Sequence, residues 1–128
     1  MENTAATSLF QRLGGTEGIS ALVDDIVDQH MNNPAVSARF LPYKEKPELL
    51  AQVKKHTVDF FSMGSGGPAV YAGRDMESTH RGMNISEAEY MHVVDDIMVV
   101  CDKHGIDAQS KNDVLAIAWS LKEQIMHQ

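Results

Sequence analysis

The sequence predicts an all-α domain, and three features of its pattern support that prediction. Capping residues, prolines or glycines stand at the ends of several apolar segments. No segment has a convincing strand pattern, because the short apolar stretches between these segments are too isolated. Apolar residues recur at three- and four-residue steps through four long segments, at about 17–31, 47–63, 87–103 and 108–126.

The chain begins with a short helical turn, which the first long helix follows. Residues 8–13 form the turn, and the Gly14–Gly15 pair ends it. Thr16 is predicted to be the N-cap of the long helix, with Glu17 placed to complement the helix dipole. The Asn-Asn-Pro run at 32–34 ends this helix. Its apolar stripe consists of Ile19, Leu22, Val23, Ile26, Val27 and His30.

The second long helix opens with Pro47, at a position where the missing N–H costs nothing. A glycine-rich run at 64–68 ends it, and no Gly-Lys-Ser/Thr follows, so the run is not a phosphate-binding loop. The helix's apolar stripe consists of Leu49, Val53, His56 and Phe60. His56 therefore faces the interior, either as a core histidine bonded to a backbone carbonyl or as a functional group.

A connection of about 22 residues, from Gly64 to Ile85, leads to the third long helix, and a loop of this length usually has a function. Asp75 is predicted to cap a short helix in which Met76 and His80 share one face. A histidine held beside a thioether in this way can act as a fixed axial ligand. The alternative is a histidine on a loop whose hydrogen bonds are satisfied locally.

The two remaining helices have clear start signals. Ser86 and Glu89 form a capping box, Gly105 is the candidate C-cap of that helix, and Asp107 starts the last one. The buried stripe of the last helix is predicted to consist of Val114, Leu115, Ala118, Trp119, Leu121 and Ile125.

Length and composition limit the function classes. The 128 residues are enough for one domain, which we expect to span 1–128 with residues 1–7 flexible. The net charge of −7 with no basic run argues against nucleic-acid partners. A single cysteine, the absence of a signal-peptide pattern and the absence of a long apolar run predict a cytoplasmic protein without a membrane span. We also expect a monomer.

Most metal and nucleophile chemistries lack their motifs. There is no His-Glu-x-x-His and no Cys-x-x-Cys for zinc, and a di-iron bundle needs two further glutamates on facing helices besides its two Glu-x-x-His motifs. No Gly-x-Ser-x-Gly elbow is present for hydrolysis. One arrangement remains, in which a planar macrocycle fits between the elements that carry His56 and His80. Ordinary core packing is the alternative role of the apolar residues beside them, which are Phe60, Phe61, Met76, Met83 and Ile85.

Several motifs, in this order and spacing, carry a resemblance to a known family. They are LFQRLGGTEGI at 9–19, HTVDFF at 56–61, GGP at 66–68, YAGRDMESTHRGM at 71–83 and EAEYMHV at 87–93. With these motifs the chain resembles the group 1 truncated haemoglobins, which are small globins with a two-over-two helical fold. The similarity covers the chain from about Ser8 to Met126.

The resemblance implies a haem site. His80 matches the proximal iron ligand, and His56 is a candidate distal iron ligand, because in some relatives a histidine at its place ligates the iron when no gas is bound. The distal pocket would include Ile26, Val27 and Gln52. The Gly14–Gly15 and Gly66–Gly67 pairs match glycine pairs that let short helices pack tightly. The other haem contacts implied are Phe40, Val53, Thr57, Phe60, Phe61, Met76, Met83, Ile85, Tyr90 and Val93.

Two departures from the family pattern change what is expected. Val27 stands where the family usually has a tyrosine that holds bound oxygen, and a valine cannot donate a hydrogen bond. His56, Thr57, Gln52 and Tyr43 are the candidates to replace that hydroxyl. Glu123 falls near the place of a histidine that bonds haem covalently in some relatives, so we expect non-covalent haem b.

The implied function is binding of oxygen, nitric oxide or carbon monoxide. Oxygen transport, detoxification of reactive nitrogen or oxygen species, and nitric oxide dioxygenase or peroxidase-like activity supported by an unidentified reductase all fit such a protein. The alternative from another class is a cofactor-free helical module that docks a partner helix in an apolar groove.

Overall fold

A computed structural model describes residues 8–68 and 76–128, and within them the chain is helical, as the sequence predicts. The only pairing of β type among these residues is an isolated bridge between Ile85 and Met126. A 3₁₀ turn at Leu41–Glu45 joins the third and fourth α-helices. The helices are α1 Leu9–Arg12, α2 Gly15–Met31, α3 Ser37–Phe40, α4 Pro47–Gly64, α5 Met76–His80, α6 Glu87–Lys103, α7 Ala108–Ser120 and α8 Lys122–Ile125.

The start of α2 differs from the prediction. The N-cap is Gly14 with φ +94°, and Thr16 lies in the first turn with an exposed side chain. The reason is close packing at this corner, because a Cβ added to Gly18 would lie 2.0 Å from the Leu13 carbonyl oxygen. Backbone contact therefore sets the start of α2, and no side chain caps it.

Most other helix ends follow the sequence signals. Pro47 opens α4 and Asp107 caps α7 by accepting a hydrogen bond from the Ser110 N–H. The Ser86–Glu89 capping box is present in both directions. The short helix over Met76–His80 is confirmed, whereas Asp75, its predicted cap, lies outside the described residues.

The last helix is shorter than predicted and is followed by a turn. α7 ends at Ser120, and α8 packs against α5. This change of direction turns Trp119 outward, where it is 50% exposed and lies under the Lys122 ammonium, 4.3 Å from the ring centroid. The prediction that Trp119 is part of the buried stripe is therefore wrong.

The central element is α2, which packs against both α4 and α6. Its apolar stripe lies in the main core with residues of α1, α6 and α7. A second, smaller core lies under the turn that follows His80, and it consists of Ile85, Tyr90, Val94 and Ala118. The two cores thus lie on different sides of α6.

Gly67→Ala is expected to destabilise the fold. An added Cβ would lie 2.3 Å from Cδ1 of Phe10 and 2.5 Å from Oγ of Ser62, so α1 would have to shift away from the end of α4. We expect the free energy of unfolding to fall by about 1–3 kcal/mol, measured by urea denaturation. Gly64→Ala is the matched control, because its Cβ would meet Ile117 at an ordinary 3.9 Å. An equal loss in both variants would contradict the close-packing explanation.

Candidate functional site

His80 is the last residue of α5, and its side chain is half-buried. Its Nδ1 lies 2.8 Å from the carbonyl oxygen of Met76, one turn earlier. A carbonyl only accepts hydrogen bonds, so Nδ1 carries the proton, and Nε2 keeps its lone pair. This is the tautomer and the kind of backbone contact that fix a metal-binding imidazole.

The turn after His80 is held by backbone bonds from several directions. The Met83 N–H donates to the His80 carbonyl over 3.0 Å. The N–H groups of Gly82 and Asn84 both donate to the Gln128 carbonyl, over 3.1 and 3.0 Å. The Gln128 carbonyl therefore anchors the turn that follows His80.

The second predicted half of the site is the α4 face that carries His56. Of the eighteen residues of α4, only Ser62 is buried, whereas α2 buries six of its seventeen. The protein's own side chains therefore leave the stripe of α4 partly uncovered, so its apolar surface is available to a flat apolar group. The half-buried side chains of this face are Val53, His56, Thr57, Phe60 and Phe61.

The polar groups near this face differ in their exposure and in the hydrogen bonds that they already make. The Thr57 hydroxyl donates to the Val53 carbonyl over 2.8 Å, so its proton is already used. Gln52 is exposed and Tyr43 is half-buried. His56 is thus the candidate with an imidazole on the stripe itself.

The α2 wall of the predicted distal pocket is apolar. Ile26 and Val27 are buried and belong to the main core. A small apolar cavity adjoins this wall, and neither His56 nor His80 lines it. Its lining residues are Leu13, Ile19, Leu22, Val23, Ile26, Phe61, Ile97, Cys101 and Val114.

The remaining predicted haem contacts fall into two groups. Ile85 and Tyr90 are buried in the second core, where the Tyr90 hydroxyl donates to the Ala118 carbonyl and burial raises the pKa of the phenol. Met83 is half-buried and packs on that core, and Val93 packs on the main core. Met76 is half-buried.

Phe40, the last of the predicted contacts, has a partner that the sequence analysis did not foresee. Its ring lies against the ring of His30, with centroids 4.8 Å apart and planes tilted by 31°. His30 is buried, and its Nδ1 lies 2.7 Å from Oδ2 of Asp96, which is also buried. Burial lowers the pKa of His30, against the opposing effect of Asp96.

Asp96 was missed because its charge suggested an exposed position. The signal was its spacing, since it stands three residues after Val93 and four before Val100, on the apolar stripe of α6.

Among residues 8–68 and 76–128 there is no group of three or more His, Cys, Asp or Glu side chains placed to hold a metal ion. Over the same residues, no helix has the length and apolar character to span a membrane.

Comparison with known proteins identifies the family of the chain. The family model of the bacterial-like globins matches residues 8–127. The chain belongs to the bacterial-like globins. A globin implies a haem cofactor and a small gaseous ligand, and the free Nε2 lone pair of His80 and the partly uncovered apolar face of α4 fit that cofactor.

Individual relatives of this globin are distant but cover most of it. A group 1 truncated haemoglobin of Chlamydomonas moewusii is 26% identical over 122 residues, which are 94% of this chain and 68% of that protein. The crystal structure of the truncated haemoglobin of Tetrahymena pyriformis in the Fe(III) form superposes with a TM-score of 0.85 at 19% identity, covering 95% of this chain and 100% of that one. The globin therefore has the two-over-two helical fold that the resemblance implied.

A second solved structure bears on how haem is attached. The two-over-two haemoglobin of Synechococcus, with covalently attached haem, superposes with a TM-score of 0.80 at 18% identity, covering 92% of this globin and 95% of that chain. At such low identity the match shows the fold alone.

Proposed function

We propose that this globin binds haem b non-covalently through His80 and binds oxygen, nitric oxide or carbon monoxide on the side of His56. One observation carries the proposal: His80 donates its Nδ1 proton to the Met76 carbonyl, which leaves Nε2 as the only ring atom with a lone pair to give. When bound, the haem supplies an iron that takes diatomic ligands and exchanges electrons.

The chain's own residues then have separate tasks. His80 would hold the iron through Nε2, and the Met76 carbonyl keeps its ring in one orientation. Phe40, Phe60 and Phe61 supply flat apolar surface for the ring and exclude water. His56 would supply a second ligand to the iron in the ligand-free protein, in exchange with a form in which it does not bind.

Haem attachment without a covalent bond is supported by Glu123. It stands near the position where some relatives carry the bonding histidine, its side chain is exposed, and a carboxylate does not add to a vinyl group in that way. The physiological role that we propose is oxygen binding or the detoxification of reactive nitrogen or oxygen species in the cytoplasm, with a reductase that returns the iron to the ferrous state.

A titration of the apoprotein with haemin tests the proposal. We expect saturation at one haem per chain with a Soret band, a spectral change when carbon monoxide is added to the reduced protein, and full extraction of the haem into acidified butanone. A colourless protein with full helical content would contradict the proposal and favour the cofactor-free interaction module. Haem that stays with the protein after extraction would contradict non-covalent attachment alone.

Val27→Tyr is expected to slow the dissociation of oxygen. Val27 lies on the apolar α2 wall, so the wild-type residue offers no hydrogen bond there. A tyrosine hydroxyl at this place would add a hydrogen bond of about 1–1.5 kcal/mol, which corresponds to roughly a tenfold slower dissociation. Stopped-flow displacement of oxygen by carbon monoxide measures the rate.

Val27→Phe is the matched control, because it adds the same ring without the hydroxyl. Both variants enlarge a side chain that is only 6% exposed, so both will strain the core to a similar degree. If the tyrosine and phenylalanine variants release oxygen at the same rate, residue 27 does not face the ligand.

A further inference from the structure

A polar network with two buried members joins the end of α2 and the residue after its C-cap to α6, and it has no role in the function proposed above. Its members are His30, Asn33 and Asp96, with His30 5% and Asp96 4% exposed. Burying a carboxylate is costly unless hydrogen bonds compensate it. Replacing such a network by apolar residues is often neutral or stabilising, so we expect the network to have a role other than stability.

The carboxylate of Asp96 is the centre of the network. Its Oδ2 accepts from His30 Nδ1 over 2.7 Å, which places the proton on Nδ1 and fixes the ring. Both of its oxygens accept from the Asn33 side-chain amide, over 3.0 and 3.2 Å. Asp96 thus holds two side chains at the end of α2 in fixed positions.

Each of these two side chains is connected to Phe40, His30 by a ring contact and Asn33 through the turn before α3. The His30 ring lies directly against the Phe40 ring, 4.8 Å between centroids. Asn33 shapes the turn before α3, because its side-chain oxygen accepts from the Ala35 N–H over 3.0 Å and its carbonyl accepts from the Ser37 N–H over 2.8 Å. Phe40 is the last residue of α3, so both routes determine where its ring lies.

Hydrogen bonds of Arg39 also hold the other side of α3 in place. Arg39, next to Phe40, donates through Nε and Nη2 to the two carboxylate oxygens of Glu89, over 2.5 and 3.1 Å. Its Nη2 also donates to the Met83 carbonyl over 2.9 Å, in the turn that follows His80. A one-turn helix with no buried residue of its own is therefore held in place by α6 and by this turn.

We infer that Asp96 and His30 are positioning residues of the haem pocket, which hold the Phe40 ring where it packs on the haem. This inference rests on the proposed function, because it gives Phe40 its haem contact. Neither residue touches the cofactor in this account, and their effect passes through the ring contact and through the turn at Asn33.

A double-mutant cycle on the holoprotein tests the inference. Phe40→Leu removes the ring from the pocket, and His30→Asn keeps an N–H donor for Asp96 but removes the ring that supports Phe40. We expect haem transfer from the ferric protein to apomyoglobin to be about tenfold faster in either single variant, which is the effect of one aromatic contact. The double variant is expected to lose haem no faster than Phe40→Leu alone.

His30→Phe combined with Asp96→Asn provides the rescue, because the pair restores an aromatic ring against Phe40 and leaves no carboxylate buried without its histidine donor. Its haem transfer rate should return toward that of the wild type. Val100→Ala is the stability control, since it opens a cavity on the same helix, one turn from Asp96, without touching the network. A purely structural role predicts that Val100→Ala and His30→Asn accelerate haem loss equally, and that result would overturn the inference.

Two further outcomes are decisive. If the increases in haem transfer rate caused by His30→Asn and Phe40→Leu multiply in the double variant, the residues act independently and the inference is wrong. If His30→Asn does not fold, His30→Gln, which also keeps an N–H donor and removes the ring, replaces it in the same cycle with the same criteria. A wild-type protein that takes up no haem would instead refute the proposed function, so the two failures are distinguishable.

Discussion

Replacing His80 with glycine is expected to abolish tight haem binding, and added imidazole is expected to restore it. His80 supplies the only protein bond to the iron on the proximal side in our proposal. Losing the partners that merely orient a metal ligand costs about 10–100-fold in affinity, so losing the ligand should cost more than about a hundredfold. Haemin titration followed by the Soret band measures the loss.

Glycine is suitable for this test because of where His80 stands. It is the last residue of α5, at a helix end where glycine is well tolerated, and its removal leaves a space that free imidazole can enter. His92→Gly is less informative because glycine inside α6 would cost about 1 kcal/mol of stability, so His92→Ala, at an exposed position, serves as the matched control. Wild-type haem affinity in the His80 variant would refute its role as proximal ligand.

Replacing His56 with leucine is expected to change the spin state of the ligand-free protein. If His56 occupies the sixth position, its loss converts low-spin ferric and ferrous spectra to high-spin ones. The apparent affinity for a gas is reduced by the fraction of open protein, so an open fraction of about 1–10% predicts that carbon monoxide binds about 10–100-fold more strongly in the variant. Absorption spectra and flash photolysis with carbon monoxide measure the two effects.

Leucine has a size close to that of histidine, so the half-buried stripe of α4 should keep its packing. His92→Leu controls for the loss of one imidazole elsewhere. Unchanged low-spin spectra in His56→Leu would show that another residue holds the sixth position. High-spin spectra in the wild type would show that the position is open from the start.

The sequence was sufficient for most of the fold because the helices are locally encoded. Their periodicity and caps depend on residues within a few positions of one another, as in the capping box of Ser86 and Glu89. The start of α2 and the turn after Ser120 depend on contacts with distant parts of the chain. Local patterns carry no information about those contacts, and both boundaries were therefore misplaced.

The site was predictable only to the extent that single residues could be recognised. From the pattern of residues alone, His80 was either an axial metal ligand or an ordinary loop histidine. The family resemblance favoured the ligand. The partnership of His30 with Asp96 spans 66 positions in sequence, and the contact of His30 with Phe40 depends on the path of α3. Such contacts follow from tertiary packing, so the sequence analysis placed His30 on the right face without its partner.

A crystal structure of the haem-loaded ferric protein tests the account most directly. The account predicts a bond from Nε2 of His80 to the iron, with Nδ1 of the same ring still donating to the Met76 carbonyl. An iron held by another residue, or the His80 imidazole turned to solvent with side chains filling the cleft beside α4, would contradict it.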